Sequence, residues 1–314
     1  MMYTYIMLDL IIIGGGPAGA AAGVYASRKR LKTALITDSF GGQSVVSTDI
    51  QNWIGSPHIS GDALAKSLEA HVREYASDIT TIYDHHRVVA VRKDGMTFSV
   101  DVQDRNGSVE TLTSRAVLVA TGSKRKKLQA VGADVFEHKG VTYCASCDGP
   151  VFSGMPVEVI GGGNAAFETA LQLSAYCSHV YLLNRTDTFR ADEITVEKAR
   201  KKENLTIITN ASTDEVVGSM FVEKLIYTES DEKKELTVNG VFVEIGQEPN
   251  TDFVKGLVDM NPVGNIVVNP KTQRTSVDGV WAAGDCTDGL YHQNNIAAGD
   301  AVKALEDAYV WLQG

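Results

Sequence analysis

The stretch LIIIGGGPAG, from Leu10 to Gly19, decides the fold of this chain. Its run of apolar residues is typical of a parallel strand that is covered on both faces. A glycine turn follows, and then a predicted helix from Pro17 to Lys29 that is rich in alanine and can therefore pack close to the sheet. A second predicted strand, Thr33 to Thr37, completes a strand-helix-strand unit.

Glycine recurs in this turn at a spacing that suits a bound dinucleotide. The glycines allow the backbone to approach a pyrophosphate, and the N-terminus of the helix supplies N–H groups and a partial positive charge. An acidic residue about twenty positions further on, Asp38, suits a ribose hydroxyl. A tight turn that binds nothing is the alternative. The predicted contacts of this first site are Gly14, Gly16, Pro17, Ala18, Gly19 and Asp38.

The same pattern returns in the second half of the chain. An apolar run from Val157 to Ile160 precedes three glycines, a predicted helix from Asn164 to Tyr176 and a predicted strand from Val180 to Leu183. The repeat predicts a second dinucleotide site. Its predicted contacts are Gly161, Gly163, Asn164, Ala165 and Ala166.

The residues that follow this strand differ from those of the first unit. Asn184-Arg185 stands where an acidic residue would bind a ribose. Arginine suits a 2′-phosphate instead, because its guanidinium matches phosphate oxygens bidentately. Arg185 and Arg190 therefore favour NADPH over NADH, and a solvated charge pair on a loop is the alternative.

A segment near the C-terminus favours FAD at the first site. Gly279 to Ala283 is an apolar run that ends in Gly284-Asp285. A carboxylate at this place could face a ribityl hydroxyl of a flavin, a group that a nicotinamide dinucleotide lacks. An ordinary strand and turn is the alternative.

The sequence Cys144-Ala-Ser-Cys147 lies between the two glycine motifs. Two intervening residues let the sulfurs meet across one helical turn, and a helix N-terminus would lower the pKa of a thiol. Asp148 could donate or accept a proton during exchange, or could instead cap the helix. Zinc is disfavoured, because no second C-x-x-C or Cys/His pair stands at a suitable spacing. We therefore predict a redox dithiol and no metal site.

Two apolar segments end in glycine-containing connectors and bracket the second unit. Residues 116–120 run into Thr121-Gly122, and residues 241–245 run into Gly246-Gln247. We interpret these connectors as crossings between domains. The predicted fold is α/β, with two Rossmann-like dinucleotide-binding domains, one inserted in the other. Residues 1–121 and 248–314 would bind FAD, and residues 122–247 would bind NADPH and carry the dithiol.

Composition excludes several classes of protein. The 314 residues are 44% hydrophobic and 22% charged, which is ordinary for a globular chain, and the net charge of -10 disfavours nucleic acid and anionic membranes as partners. No apolar stretch approaches the ~20 residues of a membrane helix, and Met1 to Ile13 indicates a buried strand rather than a signal peptide. We therefore expect a cytoplasmic protein. Cys177 and Cys286 would be core thiols, and the role of His292 stays open between the flavin segment and the surface.

Together these motifs resemble the low-molecular-weight thioredoxin reductases over nearly the whole chain. The segments that carry the resemblance are GGGPAG at 14–19, GGQ at 41–43, NW at 52–53, ATG at 120–122, CASCDG at 144–149, GGGN at 161–164 and AGD at 283–285 with Gln293. The resemblance implies further FAD contacts at Gly41, Gly42, Gln43, Asn52, Thr121, Gly122, Gly284, Asp285 and Gln293.

The resemblance also implies an activity. Electrons would pass from NADPH through FAD to the dithiol and on to a thioredoxin- or glutaredoxin-like protein, and the chain would form a homodimer. Cys147 would lie beside the flavin, Cys144 would attack the partner and Asp148 would act as the acid. One departure weakens the preference for NADPH: the usual His-Arg-Arg is Asn184-Arg185-Thr186 here, with the later Arg190 kept.

Related groups remain as alternatives. CDGPVF at 147–152, GQEPNT at 246–251 and GDCT at 284–287 also resemble the reductase core of the alkyl hydroperoxide reductase flavoprotein. That protein carries an extra N-terminal thioredoxin-like region, which we do not expect in this chain. A reductase fed by ferredoxin or another donor, a dithiol oxidase and a flavin-bearing redox sensor also stay open. Ferredoxin-NADP reductases of the same fold lack the C-x-x-C, so Cys144 and Cys147 argue against them.

Overall fold

The computed structural model describes residues 7–47, 50, 52–76, 78–143 and 145–314, without the side chains of Val46, Ser146 and Cys147. The chain divides into two compact units. The first comprises residues 1–124 and 248–314, and the second comprises residues 125–247.

Strands and helices alternate along much of the chain. The strands are β1 (Leu8–Ile13), β2 (Thr33–Thr37), β3 (Thr80–Asp84), β4 (Arg87–Asp94), β5 (Thr97–Gln103), β6 (Val109–Val119), β7 (Ser123–Arg125), β8 (Val141–Thr142), β9 (Pro156–Ile160), β10 (His179–Leu183), β11 (Leu205–Ile208), β12 (Ala211–Gly218), β13 (Val222–Glu229), β14 (Glu232–Thr237), β15 (Gly240–Val243), β16 (Gln247–Pro249) and β17 (Val280–Ala282). The helices are α1 (Pro17–Arg28), α2 (Gly61–Ala76), α3 (Ala145–Asp148), α4 (Asn164–Leu173), α5 (Glu193–Arg200) and α6 (Asn294–Gln313).

The first unit is built on a mixed sheet in the order β3-β2-β1-β6-β5-β4, with β17 also paired to β6. β1 lies parallel to β2 and β6, whereas β5 pairs antiparallel with β4 and β6. Leu10 and Ile12 pack in the core that α1 and α6 share, and Ile11 and Ile13 pack in the core on the other face. Because both faces of β1 are covered, its sequence is apolar without interruption.

Small residues bring α1 close to its neighbours. A Cβ added to Gly23 would lie 2.7 Å from Cδ1 of Leu35 on β2. The alanines of α1 and of α6 share one core, at Ala20, Ala22, Ala26, Ala297, Ala301, Ala304 and Ala308. This close packing holds the N-terminus of α1 against the carboxyl ends of the parallel strands, where ligands bind in folds of this kind.

The second unit contains a five-stranded parallel sheet in the order β11-β10-β9-β15-β8. Val157 and Val159 of β9 pack with α4 and α5, while Ile160 packs in the core on the other face. That second core includes residues of the antiparallel sheet β12-β13-β14.

The chain crosses between the units through β7 and β16, which pair with each other. Among the residues that the structure describes, no helix has both the length and the apolar character that crossing a membrane requires.

Candidate dinucleotide sites and dithiol

The first glycine turn is shaped by contacts that exclude side chains. Gly14 has φ +121°, and a Cβ there would lie 2.2 Å from the carbonyl oxygen of Ala120. A Cβ on Gly19 would lie 1.8 Å from the carbonyl oxygen of Gly14. Gly16 faces more open space, since the nearest neighbour of a Cβ there is the α-carbon of Gly42 at 3.8 Å. The tight side of the turn therefore fixes the backbone, and the open side leaves room for a ligand.

This turn lies at one wall of a cavity of about 750 Å³, which is formed by residues of the first unit. The volume falls within the range of small-molecule and cofactor sites, about 300–1,000 Å³. The N-cap of α1 is Gly16, which has no side chain, and no acidic residue occupies the first turn of that helix. The N–H groups at this end therefore favour an anion. Eleven predicted contacts line the cavity: Gly14, Gly16, Pro17, Ala18, Asp38, Gly42, Gln43, Thr121, Gly122, Gly284 and Asp285.

Four other predicted FAD contacts do not line this cavity. Gly19 lies behind the turn, and Gly41, in the left-handed region at φ +89°, donates its N–H to the carbonyl of Gly15 at 2.9 Å. Asn52 donates from Nδ2 to Oε1 of Gln293 at 2.8 Å. These residues are placed to support the site rather than to line its wall.

Polar residues that our sequence reasoning missed also line the cavity, among them Ser39, His86, Arg87 and Asn294. Ser39 and His86 follow the carboxyl ends of β2 and β3. Ligands of parallel sheets bind at such ends, so strand order combined with strand ends would have found both residues. Asn294 begins α6, and its Oδ1 accepts a hydrogen bond from Ser44 at 2.9 Å.

The residues around Asp285 divide into polar and buried groups. Burial raises the pKa of Asp285, and the nearby His292 partly lowers it. Cys286 is fully buried, and burial raises the pKa of its thiol to about 11. Cys177 is also buried, and its pKa is likewise raised to about 11 by burial. Both thiols are therefore protonated at neutral pH and shielded from solvent, as expected of core residues.

The second glycine turn repeats the geometry of the first. Gly161 has φ +148°, and a Cβ there would lie 2.3 Å from the carbonyl oxygen of Glu244. Gly163, the N-cap of α4, has no described heavy atom within 4 Å of an added Cβ. Asn164 and Ala165 are exposed and Ala166 is buried, so the first turn of α4 presents one polar and one small residue to solvent. The open side at Gly163 leaves room for a pyrophosphate.

Asn184 organises the loop that carries the two predicted phosphate-binding arginines. It is 8% exposed, and its Nδ2 donates to the carbonyl oxygens of Thr186 and Thr188, both at 2.9 Å. Its Oδ1 lies close enough to Gly162 that a Cβ there would be 2.2 Å away. Arg185 and Arg190 are exposed, and neither side chain has a partner within the part of the chain that the structure describes. The asparagine therefore shapes the loop, and the arginines remain available for a ligand.

The dithiol lies at the start of the second unit. Cys144 is outside the described residues, and Cys147 is described by its backbone within α3. Asp148 ends α3, and its Oδ2 accepts a hydrogen bond from the hydroxyl of Thr142 on β8. α3 has four residues, so it is a single turn, and its dipole adds little to the pKa argument made from the sequence.

A family model described as pyridine nucleotide-disulphide oxidoreductase matches residues 8–301. The chain belongs to this family. An alkyl hydroperoxide reductase of Xanthomonas campestris pv. phaseoli is 40% identical over 304 residues, which cover 96% of this chain and 56% of that protein. A Bacillus subtilis protein named NADH dehydrogenase is 39% identical over 306 residues, which cover 97% of this chain and 58% of that protein. This chain thus spans less than two thirds of the length of either relative.

Among solved structures, thioredoxin reductase from Lactococcus lactis, in the FR conformation, matches with a TM-score of 0.85 and 29% identity. The match covers 98% of this chain and 99% of that one. The predicted resemblance and the predicted α/β fold with two Rossmann-like domains are confirmed.

Membership of this family implies FAD and NAD(P)H as cofactors. The residues present fit such groups. Each glycine turn has a backbone surface that a Cβ would find open, at Gly16 and at Gly163, beside a helix N-terminus. The assignment of each cofactor to one turn remains a prediction.

Proposed function

We propose that this protein is a disulfide reductase that carries electrons from NADPH through FAD to Cys144 and Cys147, and from this dithiol to a thioredoxin-like protein. The observation that carries the proposal is the presence of two open glycine turns in separate compact units, the second of which also contains the C-x-x-C sequence. When bound, FAD supplies the exchange of an electron pair between a nicotinamide and a disulfide.

The first unit would hold FAD. The N–H groups of α1 would bind its pyrophosphate, Asp38 would bind a ribose hydroxyl and Asp285 a ribityl hydroxyl. Gln43 supports this site from the opposite wall, because its Nε2 donates to the carbonyl oxygen of Ser123 at 2.6 Å and so orients the connector after Gly122.

The second unit would hold NADPH, with Gly163 at the pyrophosphate and Arg185 and Arg190 at the 2′-phosphate. NADH is the second candidate, and two observations favour it. Asn184 offers neither the charge nor the free donors of the usual histidine, because its amide is already bonded within the loop. The Bacillus subtilis relative is also named NADH dehydrogenase. The two arginines, exposed and unpaired among the described residues, nevertheless favour NADPH.

The exchange at the dithiol balances as follows. The thiolate of Cys144 attacks the partner's disulfide, the partner's S–S bond breaks, and one partner thiolate leaves with a proton from Asp148. Cys147 then attacks the sulfur of Cys144, releases the second partner thiol and closes the Cys144–Cys147 disulfide. The electron pair of NADPH reopens it. One NADPH is oxidised for each partner disulfide reduced.

We also propose that the protein acts as a homodimer and that its partner resembles thioredoxin or glutaredoxin. The structural similarity to a thioredoxin reductase supports both proposals.

The test is a steady-state assay of the full chain loaded with FAD, with NADPH and either thioredoxin or glutaredoxin. Oxidation of NADPH should continue over many turnovers, should require the added disulfide protein and should be lost in Cys144→Ser. The matched control is Cys177→Ser, which changes a buried thiol outside the C-x-x-C and should retain the rate. A single stoichiometric exchange would instead indicate a redox sensor. Oxygen consumption without a disulfide protein would indicate a dithiol oxidase, and either result would contradict the proposal.

A further inference from the structure

Asp148 is anchored at two points. Its backbone leads into Gly149, where an added Cβ would lie 2.2 Å from the hydroxyl oxygen of Tyr176, so the chain is held tightly just after α3. Its Oδ2 accepts the hydroxyl hydrogen of Thr142. Without the second contact, a half-buried carboxylate at the end of a single helical turn would be free to change its rotamer.

Thr142 is itself rigidly placed. It is 5% exposed and belongs to β8, which pairs in parallel with β15 so that Thr142 lies opposite the buried Phe242. Threonine is stiff at χ1, so its hydroxyl can hold a fixed direction within a strand. A donor on the parallel sheet therefore reaches the residue that directly follows Cys147 in the chain.

We propose that Thr142 is a positioning residue for disulfide exchange, because its hydroxyl holds one oxygen of Asp148 and leaves the other oxygen to hand a proton to the departing thiolate. The inference rests on the proposed function, in which Asp148 is the acid. Thr142 does not touch the reacting sulfur atoms in this role. It acts through the carboxylate.

The leaving thiolate provides a sharp test. An alkyl thiolate is strongly basic and needs a proton as it departs, whereas an aromatic nitrothiolate is a weak base and does not. We therefore compare two disulfides, bis(2-hydroxyethyl) disulfide and 5,5′-dithiobis(2-nitrobenzoate). Each is mixed with FAD-loaded full chain that has been reduced beforehand. Thr142→Val should slow exchange with the alkyl disulfide about tenfold and should leave exchange with the nitrobenzoate nearly unchanged. Thr142→Ser should restore most of the alkyl rate, because it keeps the donor.

Two further measurements separate positioning from a purely structural role. If Thr142 acts through Asp148, Thr142→Val should cause no additional loss in an Asp148→Asn background. If Thr142 is a structural link alone, Thr142→Val should slow both disulfides equally and in both backgrounds, with a lowered thermal midpoint. That pattern would overturn the inference.

The failure of this inference can be distinguished from the failure of the proposed function. If Asp148→Asn slows the alkyl disulfide and Thr142→Val does not, the role of Thr142 is wrong while that of Asp148 stands. If Asp148→Asn exchanges both disulfides at the normal rate, the acid role in the proposed function is wrong and the role of Thr142 falls with it.

Discussion

Gly19 and Gly14 are in direct contact across the first glycine turn, so that a Cβ on Gly19 would lie 1.8 Å from the carbonyl oxygen of Gly14. No side chain fits at that distance, and the neighbour is backbone, which cannot rotate away. The turn is therefore specified by what it excludes. Its opposite side, at Gly16, is left open towards the cavity.

Gly19→Ala should displace the turn. We expect a destabilisation of about 1–3 kcal/mol, which is typical of overpacking, and a protein that is purified with less FAD than the parent chain. The measurement is the flavin-to-protein absorbance ratio together with the thermal midpoint. Gly299→Ala is the matched control, because Gly299 is exposed on α6 and an added Cβ there meets no described heavy atom within 4 Å. That variant should keep its FAD and be as stable as the parent or up to about 1 kcal/mol more stable. Full FAD content in Gly19→Ala would contradict the account of the turn.

Arg185→Ala and Arg190→Ala should each weaken the binding of NADPH. A charge-assisted hydrogen bond contributes about 1.5–3 kcal/mol, which corresponds to roughly a ten- to hundredfold change in affinity. NADH lacks the 2′-phosphate and should bind as before, so the preference for NADPH should fall in both variants. Lys201→Ala removes the same charge from an exposed position of the second unit and is the control for long-range electrostatics. If both nucleotides were weakened equally, the arginines would not contact the 2′-phosphate.

Glu158 should make the second unit sensitive to pH. It is fully buried on β9, and neither of its carboxylate oxygens has a hydrogen-bond partner among the described residues. Burial raises its pKa well above the usual value. A carboxyl group with a raised folded-state pKa stabilises the fold fully below its unfolded pKa, about 4.3, and this contribution is lost as the pH rises through the folded pKa.

Glu158→Leu should therefore be more stable than the parent chain at pH 8, by about 1–3 kcal/mol, and the difference should shrink as the pH falls towards 4. Urea unfolding at several pH values measures this difference. The same substitution at the exposed Glu203 should change stability little at any pH. A difference that is constant with pH would show that Glu158 keeps its charge state on folding.

Local sequence signals predicted the parts of the structure that local geometry determines. β2 occupies Thr33–Thr37 as expected, because Asp38 and the following turn mark its end. Helix α4 ends at Leu173 rather than at the predicted Tyr176. Residues 174–177 leave the helix through turn hydrogen bonds to Leu173, and no glycine or proline marks that exit.

The remaining features depend on contacts between distant segments. The bond from Thr142 to Asp148 arises because β8 and α3 are brought together, and nothing in either residue type announces it. The orphaned carboxylate of Glu158 could not be predicted either, since its run VEVI suits a parallel strand with or without a partner for the acid. Cys144 lies outside the described residues, so the geometry of the dithiol stays a prediction.

The central claim is that electrons from a nicotinamide nucleotide reach Cys144 and Cys147. An anaerobic titration of the FAD-loaded chain with NADPH, followed by alkylation and peptide mass spectrometry, tests it most directly. The account predicts that Cys144 and Cys147 become alkylated only after NADPH is added, and that the chain takes up one more electron pair than the double variant Cys144→Ser/Cys147→Ser. Equal uptake by the two proteins, with unchanged alkylation of Cys144 and Cys147, would contradict it.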